Sequence, residues 1–378
     1  MKLVRLTLRE ISLTLVEPFQ ISSGTASARR ILLLELEDDD GAVAWSECVA
    51  GEFPNYSPET VDTAWWALRE WMAPRILGKA VASASGVAPL LEREIRGHQM
   101  ARASLEMGMW GLEAVSRQLP LARVLGEGRG ALRQTVSTGI SLGIQPSPEA
   151  LVERAQEALA VGYRKVKIKI KPGQDLTQLR AVRLALGPTA PLMADANSAY
   201  TLDDGSHLAA MDELDLMMLE QPLDRTDLLR HARLQEQIST PICLDESIDG
   251  LDRAEDMIAL KAGRIVNIKP GRVGGFATSL AIHDLCLKHD VPVWCGGMLE
   301  SGVGRAYNVA LAALPGFTLP GDLSPSRRYW DRDIVDPEWT MSAQGEVHVP
   351  QDRPGMGVTV DRDRVEALTV RKEVLGPA

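Results

Sequence analysis

The α/β fold class predicted by the sequence is a (β/α) barrel of the TIM type carrying an α+β capping domain, and three observations predict it. From about Thr135 onward, short apolar segments alternate with amphipathic helical segments, as repeated βα units require. Eight such units can be traced, which favours a closed barrel over an open doubly wound sheet. Ahead of them lies a different texture, β-rich over the first 55 residues and helical from Pro58 to about Gln118, which reads as a small α+β domain.

In chain order, Lys2–Val16 and Arg30–Glu37 alternate β-branched and apolar residues, and Asp38–Gly41 makes an acidic turn between Leu36 and Val43. Trp65, Trp66, Leu68, Trp71 and Met72 recur at helical spacing, as do Ala101, Leu105, Met109 and Leu112, and the Trp and Met stripe is expected in the core. Barrel strands are expected at Thr135–Ile144, Val166–Ile170, Leu192–Ala194, Leu216–Leu219, Ile242–Leu244, Ile265–Ile268 and Val293–Cys295, with a last one near Phe317–Leu319. Helices such as Val152–Val161, Leu176–Leu186 and Asp203–Met211 fill the gaps. After Asp322 the rhythm stops, and Glu346–Val360 is expected to supply strands that return to the first domain. The expected division is a capping domain over residues 1–125, completed by roughly 333–378, and a barrel over 126–332.

Bulk properties exclude several function classes. At 378 residues, 45% hydrophobic and 24% charged, the chain has ordinary globular composition and can bury a large core. A formal charge of −10 leaves no excess of basic residues to replace phosphate counterions, so no nucleic-acid partner is expected. A local cluster of cations can still receive a small anion. Cys48, Cys243, Cys286 and Cys295 show no CxxC spacing and suit reduced thiols. Arg5, Arg9 and Glu10 interrupt the apolar start, which reads as a strand pair, with no sign of a signal peptide. No run approaches the roughly 18 apolar residues of a spanning helix. A cytoplasmic enzyme without membrane partners is expected.

The acids keep time with the strands. Asp195, Glu220 and Asp245 each follow a strand, and 25 residues, one βα unit, separate each from the next. Neighbouring strand ends are adjacent on the rim where barrel active sites are built. A single acid after a strand more often caps a helix or opens a turn. Three in phase converge, and like charges that close repel unless a cation neutralises them. The set is all oxygen, so a hard divalent ion fits, Mg²⁺ best.

Lysines flank the acids. Lys165, Lys167, Lys169 and Lys171 alternate with Val166, Ile168 and Ile170, so all four point to one face of the strand before Asp195. On an edge strand such a face would be solvated, but here the strand is central in a parallel sheet, so at least the later lysines should enter the barrel mouth. Lys269 lies 24 residues after Asp245, one unit further. The ring over five strands is therefore lysine, acid, acid, acid, lysine. Nearby cations favour a neutral lysine, a competent base, and a divalent ion stabilises the enediolate formed when the proton beside a carboxylate leaves. Lysines on opposite faces of that carbon are the geometry of a racemase.

Lys167-Ile168-Lys169, Asp195-Ala196-Asn197, Glu220-Gln221-Pro222, Asp245-Glu246-Ser247, the run Asn267–Gly275 and Gly296-Gly297-Met298-Leu299-Glu300 form an ordered set. It resembles the enolase superfamily, and more closely its o-succinylbenzoate synthase/N-succinylamino acid racemase (N-acylamino acid racemase) family. The resemblance covers nearly the whole chain. It implies a (β/α)7β barrel, Mg²⁺ (with Mn²⁺ able to substitute), a small-molecule carboxylate substrate and a homo-oligomer. Carried over by position, Lys169 and Lys269 would be the acid/base pair and Asp195, Glu220 and Asp245 the metal ligands. Lys167 would assist the substrate carboxylate and favour the neutral form of Lys169. Ser141, Asn197, Gly297 and Met298 would contact substrate, with Arg272, Glu246 and Asp322 in support. As structural alternatives, Ser141 is a turn hydroxyl, Gly296-Gly297 a tight bend and Asp322 the end of a turn. Phe19–Ala28, with Phe19 as a substrate contact, and Ala50–Pro58 resemble the family loops that close over the mouth. The resemblance implies N-acylamino acid racemisation, N-succinyl derivatives first. Syn-dehydration to o-succinylbenzoate in menaquinone synthesis comes second. Dipeptide epimerisation is third, because Pro320-Gly321-Asp322-Leu323-Ser324 lacks a DxD element. A non-catalytic barrel is set aside because every acid and both lysines are present.

Overall fold

The computed structural model describes residues 1–21 and 24–377. Leu3–Ile21, Gly24–Asp38 and Val43–Cys48 form an antiparallel meander. Asp38 builds its acidic turn: one carboxylate oxygen accepts the Asp40 and Ala42 amides at 3.1 and 2.8 Å, while Gly41 takes a φ of 83°. The hairpin between the first two strands carries Phe19 opposite Ala26 and Gln20 opposite Thr25, so much of the expected Phe19–Ala28 loop is paired strand. Ser22 and Ser23, part of that expectation, lie outside the described residues.

Ile31 to Leu34 and Leu36 are fully buried, because the middle strand is covered on both faces. The helix Gln99–Ser116 packs on this sheet. A Cβ on Gly108 would lie 2.7 Å from Leu36 Cδ1, and one on Gly111 2.2 Å from the Tyr307 hydroxyl of the barrel helix Gly302–Ala312. Two glycines thus let one helix touch the sheet and the barrel together. Trp65, Leu68 and Met72 are buried as expected, but Trp66 and Trp71 are 49% and 38% exposed and pack edge to face on each other. Trp66 is turned about 100° round the helix from Trp65, away from the core.

Seven parallel strands follow one another round the barrel in chain order: Ile140–Leu142, Val166–Lys169, Leu192–Asp195, Leu219–Glu220, Ile242–Leu244, Ile265–Ile268 and Val293–Cys295. The expected eighth strand is not formed as such, yet residues 317–322 serve as the closing stave. The Leu319 and Asp322 amides donate to the Val293 and Cys295 carbonyls at 3.4 and 2.9 Å. On the other side the Gly321 amide donates to the Ser137 carbonyl at 3.0 Å, and the Gly139 amide to the Gly321 carbonyl at 2.7 Å.

Two expectations are corrected. Thr135–Ile144 breaks into Thr135–Ser137, paired antiparallel with Glu346–His348, and the barrel strand Ile140–Leu142. Glu346–Val360 therefore does not return to the first sheet, since Thr359–Val360 pairs with Val335–Asp336. The strand that returns is Thr369–Leu375, alongside Leu6–Ile11. Alternation marks a segment as strand, whereas tertiary packing chooses its partner. The four cysteines are free and buried, and no helix among the described residues is long and apolar enough to cross a membrane.

Candidate active site

Parallel register sets the level of each side chain at the barrel mouth. Lys169 is the register partner of Asp195, and Asp195 of Glu220. Glu220 pairs with Cys243, so Asp245 stands two residues higher. Lys269 follows Ile268, the partner of Cys295. All five ring residues are buried. The lysines occupy the second and sixth of eight staves, which lie across the barrel from each other.

Lys169 donates to Asp195 at 2.6 Å and to the Asn197 side-chain Oδ1 at 2.7 Å. Lys167, one pleat deeper, lies 2.5 Å from Asp322, 3.3 Å from Glu220 and 3.4 Å from Asp195. Lys165 is deeper again, 3.3 Å from Asp322 and 3.5 Å above the Trp294 ring. Three of the four alternating lysines thus enter the barrel, while Lys171 leaves the strand in a turn bonded to Gln174. Across the mouth, Lys269 donates to Asp245 at 2.8 Å and to the Tyr56 hydroxyl at 3.2 Å. Arg272 also pairs with Asp245 and donates to the Asn267 carbonyl at 2.5 Å. Asn267 in turn donates to Glu220 at 2.9 Å.

Burial opposes every charge here, and the neighbours decide the balance. At Asp195 the Lys169 and Lys167 ammoniums outweigh burial and hold the carboxyl well below the usual range. Burial, joined by Asp195, pushes Glu220 up. Burial works against the Lys167 ammonium too, but Asp322, Glu220 and Asp195 overcome it and raise it above an ordinary lysine. At Lys165 burial wins, and the ammonium is disfavoured.

Lys169, Asn197, Lys269, Gly297, Met298 and Phe19 line one cavity of about 450 Å³ between the barrel mouth and the first domain. Ser141 is level with Lys167 and is not among the residues lining that cavity; its buried hydroxyl has no hydrogen-bond partner among the described residues. Gly296 must be glycine, since a Cβ there would lie 2.3 Å from Asn267 Oδ1 and 2.7 Å from Lys269 Cε. Glu246 accepts a hydrogen bond from Asn197 at 2.9 Å and lines an adjoining cavity of about 350 Å³. Asp322, read from sequence as an orienting acid or a turn end, engages Lys165 and Lys167.

Tyr56 and Trp294 were not singled out from sequence, and Asn267 entered only as the first residue of a motif, with no role. Asn267 and Trp294 carried a signal, because each lies two residues before an inward position, Lys269 and Gly296. Tyr56 carried none beyond its place in the irregular Ala50–Pro58 segment.

The acids do not converge as fully as their spacing predicts. As they lie, the described His, Cys, Asp and Glu side chains form no group of three able to hold one ion. Asp245 is turned onto Arg272, Lys269 and Tyr56, whereas Asp195 and Glu220 share Lys167. The donor set still fits a hard divalent cation: three buried carboxylates on adjacent strand ends, each already held by cationic groups.

Residues 150–364 match the enolase C-terminal domain-like family, and residues 4–126 the mandelate racemase/muconate lactonizing enzyme N-terminal domain. An o-succinylbenzoate synthase of Geobacillus kaustophilus is 47% identical over 96% of this chain and 94% of its own. An N-succinylamino acid racemase of Amycolatopsis sp. is 43% identical over 100% of both chains. A crystal structure of an enolase superfamily member from Listeria innocua superposes with a TM-score of 0.94 at 35% identity, covering 100% of this chain and 99% of that one.

Proposed function

We propose, for a chain that belongs to the enolase superfamily, the removal and return of the proton beside a substrate carboxylate, with N-succinylamino acids as the substrates racemised. The observation that carries this reading is the placing of Lys169 and Lys269 on opposite staves, both lining one cavity of about 450 Å³. A carbon held between two amines can lose its proton to one and regain it from the other, which inverts it. Members of the superfamily are generally Mg²⁺-dependent. Asp195, Glu220 and Asp245 would hold Mg²⁺, or Mn²⁺ in its place. Such an ion supplies positive charge for the carboxylate as negative charge builds on it.

The chain's own groups do the rest. Lys167, fixed by Asp322, presents a lasting positive charge under the mouth. Asn197 orients Lys169, and Tyr56 orients Lys269. Phe19, Phe53, Tyr56 and Met100 of the first domain supply one wall of the cavity over the two lysines. Incubation of the purified protein with N-succinylamino acids in D₂O tests the proposal: loss of the α-proton signal together with inversion is expected. A substrate that stays fully protonated and optically unchanged would refute it.

The second reading is syn-dehydration of a hydroxy acid to o-succinylbenzoate, favoured by the identity to the Geobacillus enzyme. It uses the same charge stabilisation, and appearance of o-succinylbenzoate from its precursor measures it. Dipeptide epimerisation ranks below both, because a dipeptide amine would compete with Lys165 and Lys167 for Asp322.

A further inference from the structure

Lys269 stands at the start of an unusual segment. It precedes the four-residue helix Pro270–Val273, which is followed by Gly274 and Gly275 with φ of 94° and 122° and then by the helix Phe276–Lys288. The segment is closed on itself: the Val273 amide donates to the Lys269 carbonyl at 3.1 Å and the Gly275 amide to the Pro270 carbonyl at 2.9 Å. A move of Gly275 is therefore carried to the backbone of Lys269.

The glycines of this segment mark where the first domain presses on it. A Cβ on Gly271 would lie 2.3 Å from Val49 Cγ2, one on Gly274 2.3 Å from Arg102 Nη2, and one on Gly275 2.3 Å from Glu106 Oε2. Val49 follows the strand Val43–Cys48, and Arg102 and Glu106 belong to the helix Gln99–Ser116. The run is glycine-rich because a second domain occupies the space side chains would need.

Glu106 is the fixed point of that contact. Its carboxylate is fully buried and accepts the Phe276 amide at 2.7 Å, the Ala277 amide at 3.0 Å and the Trp110 indole N–H at 2.7 Å. Two of these donors are first-turn amides of the helix after Lys269, where a carboxylate also meets the positive end of the helix. Lys169 is mounted differently: past its strand, the Ile170 amide donates to the Asp195 carbonyl at 2.9 Å, and Asp175 accepts from Tyr200 at 2.7 Å, all within the barrel.

We propose that Glu106 of the capping domain is a positioning residue for Lys269, acting through the glycine-rich segment 270–275, so that one base of the pair is set by the capping domain and the other by the barrel. This rests on the two-lysine reading. Glu47 offers a like contact elsewhere: it accepts the Ser301 hydroxyl at 2.5 Å and the Gly304 amide at 3.0 Å, and so joins the domains at the helix after the seventh strand. A residue that merely staples the domains together would weaken proton transfer on both faces alike. Glu106 is expected to weaken one.

The test is α-proton exchange in D₂O, measured separately for the two antipodes of one N-succinylamino acid by the intact enzyme. Lys169→Ala and Lys269→Ala first assign which antipode presents its proton to which lysine. In Glu106→Gln the Lys269-face exchange should fall roughly tenfold relative to the Lys169-face exchange, and the latter reports in the same sample that the barrel is folded. Should Glu106→Gln not fold, Trp110→Phe removes one donor to the same carboxylate and should move the ratio the same way, about threefold. Glu47→Gln should leave the ratio where it is. An unshifted ratio in the folded Glu106 or Trp110 variant, or an equal shift in Glu47→Gln, overturns the inference alone. No exchange by the unchanged enzyme overturns the two-lysine reading and takes this inference with it.

Discussion

Lys169 and Lys269 end comparable parallel strands and face one cavity, yet their surroundings differ. Lys169 donates to Asp195 and Asn197, both on the neighbouring stave. Lys269 donates to Asp245 and also to Tyr56, whose ring lies 4.6 Å from its ammonium and comes from the first domain. The acids divide along the same line, Asp195 and Glu220 sharing Lys167 while Asp245 is held by Arg272 and Lys269. The named partners of Lys169 thus come from the barrel, whereas Lys269 takes one of its two from the first domain.

The strongest test of this asymmetry removes each lysine in turn. Lys169→Ala and Lys269→Ala should each lower racemisation about a hundredfold or more, since a general base contributes roughly 10²–10⁴-fold. Each variant should still exchange the α-proton of one antipode, and the two variants should choose opposite antipodes. Exchange of the same antipode by both would place the amines on one face and end the comparison.

Removal of divalent ions probes the acids on both sides at once. Chelation should lower activity by about 10² or more, and Mg²⁺ should restore it. If the ion competes with Arg272 for Asp245, Asp245→Asn should need more Mg²⁺ for half-restoration than the unchanged protein. An activity untouched by exhaustive chelation would remove these acids from the proposal. On a smaller scale, Tyr56→Phe deletes the hydroxyl shared by Lys269 and Asp245. Roughly a tenfold loss in kcat is expected on the Lys269 face only, measured by the same antipode-resolved exchange.

How much of this was legible before folding depends on the distance over which each signal acts. The strand-end places of the acids and of Lys269 were legible because the 25- and 24-residue βα repeat is itself a ruler. The inward lysines were legible because a strand alternates. The glycines of 271–275 stood out as a motif, but their reason did not, since Val49, Arg102 and Glu106 arrive from more than 150 residues away. Tyr56 was hidden in the same way. The turn of Asp245 onto Arg272 was hidden for another reason, as spacing places a backbone and says nothing of a rotamer. Thr369–Leu375 escaped because its exposed, charged face lacks the apolar alternation by which strands are read, while Glu346–Val360 showed it and pairs elsewhere.

The smallest expected effect concerns how the domain contact responds to pH. Burial pushes the Glu47 carboxyl up to about 7 against an ordinary 4.5, despite its bonds from Ser301 and Gly304, and Glu300 adds to the rise. The folded state therefore holds the proton more tightly than the unfolded chain does. The stability this contributes is fully present below pH 4.5 and is lost as pH climbs through 7. Glu47→Gln cannot ionise, so its melting temperature should fall less between pH 5 and pH 8 than that of the unchanged protein, by about 1 °C for each kcal/mol involved in a chain of this length. Other groups titrate in both proteins and cancel in the difference. Because Glu47 joins the helix after the seventh strand, the shift should accompany equal changes in exchange on the two faces. A pH-dependent bias toward one face in Glu47→Gln would remove the distinction drawn between Glu47 and Glu106, and with it the assignment of Lys269 to Glu106.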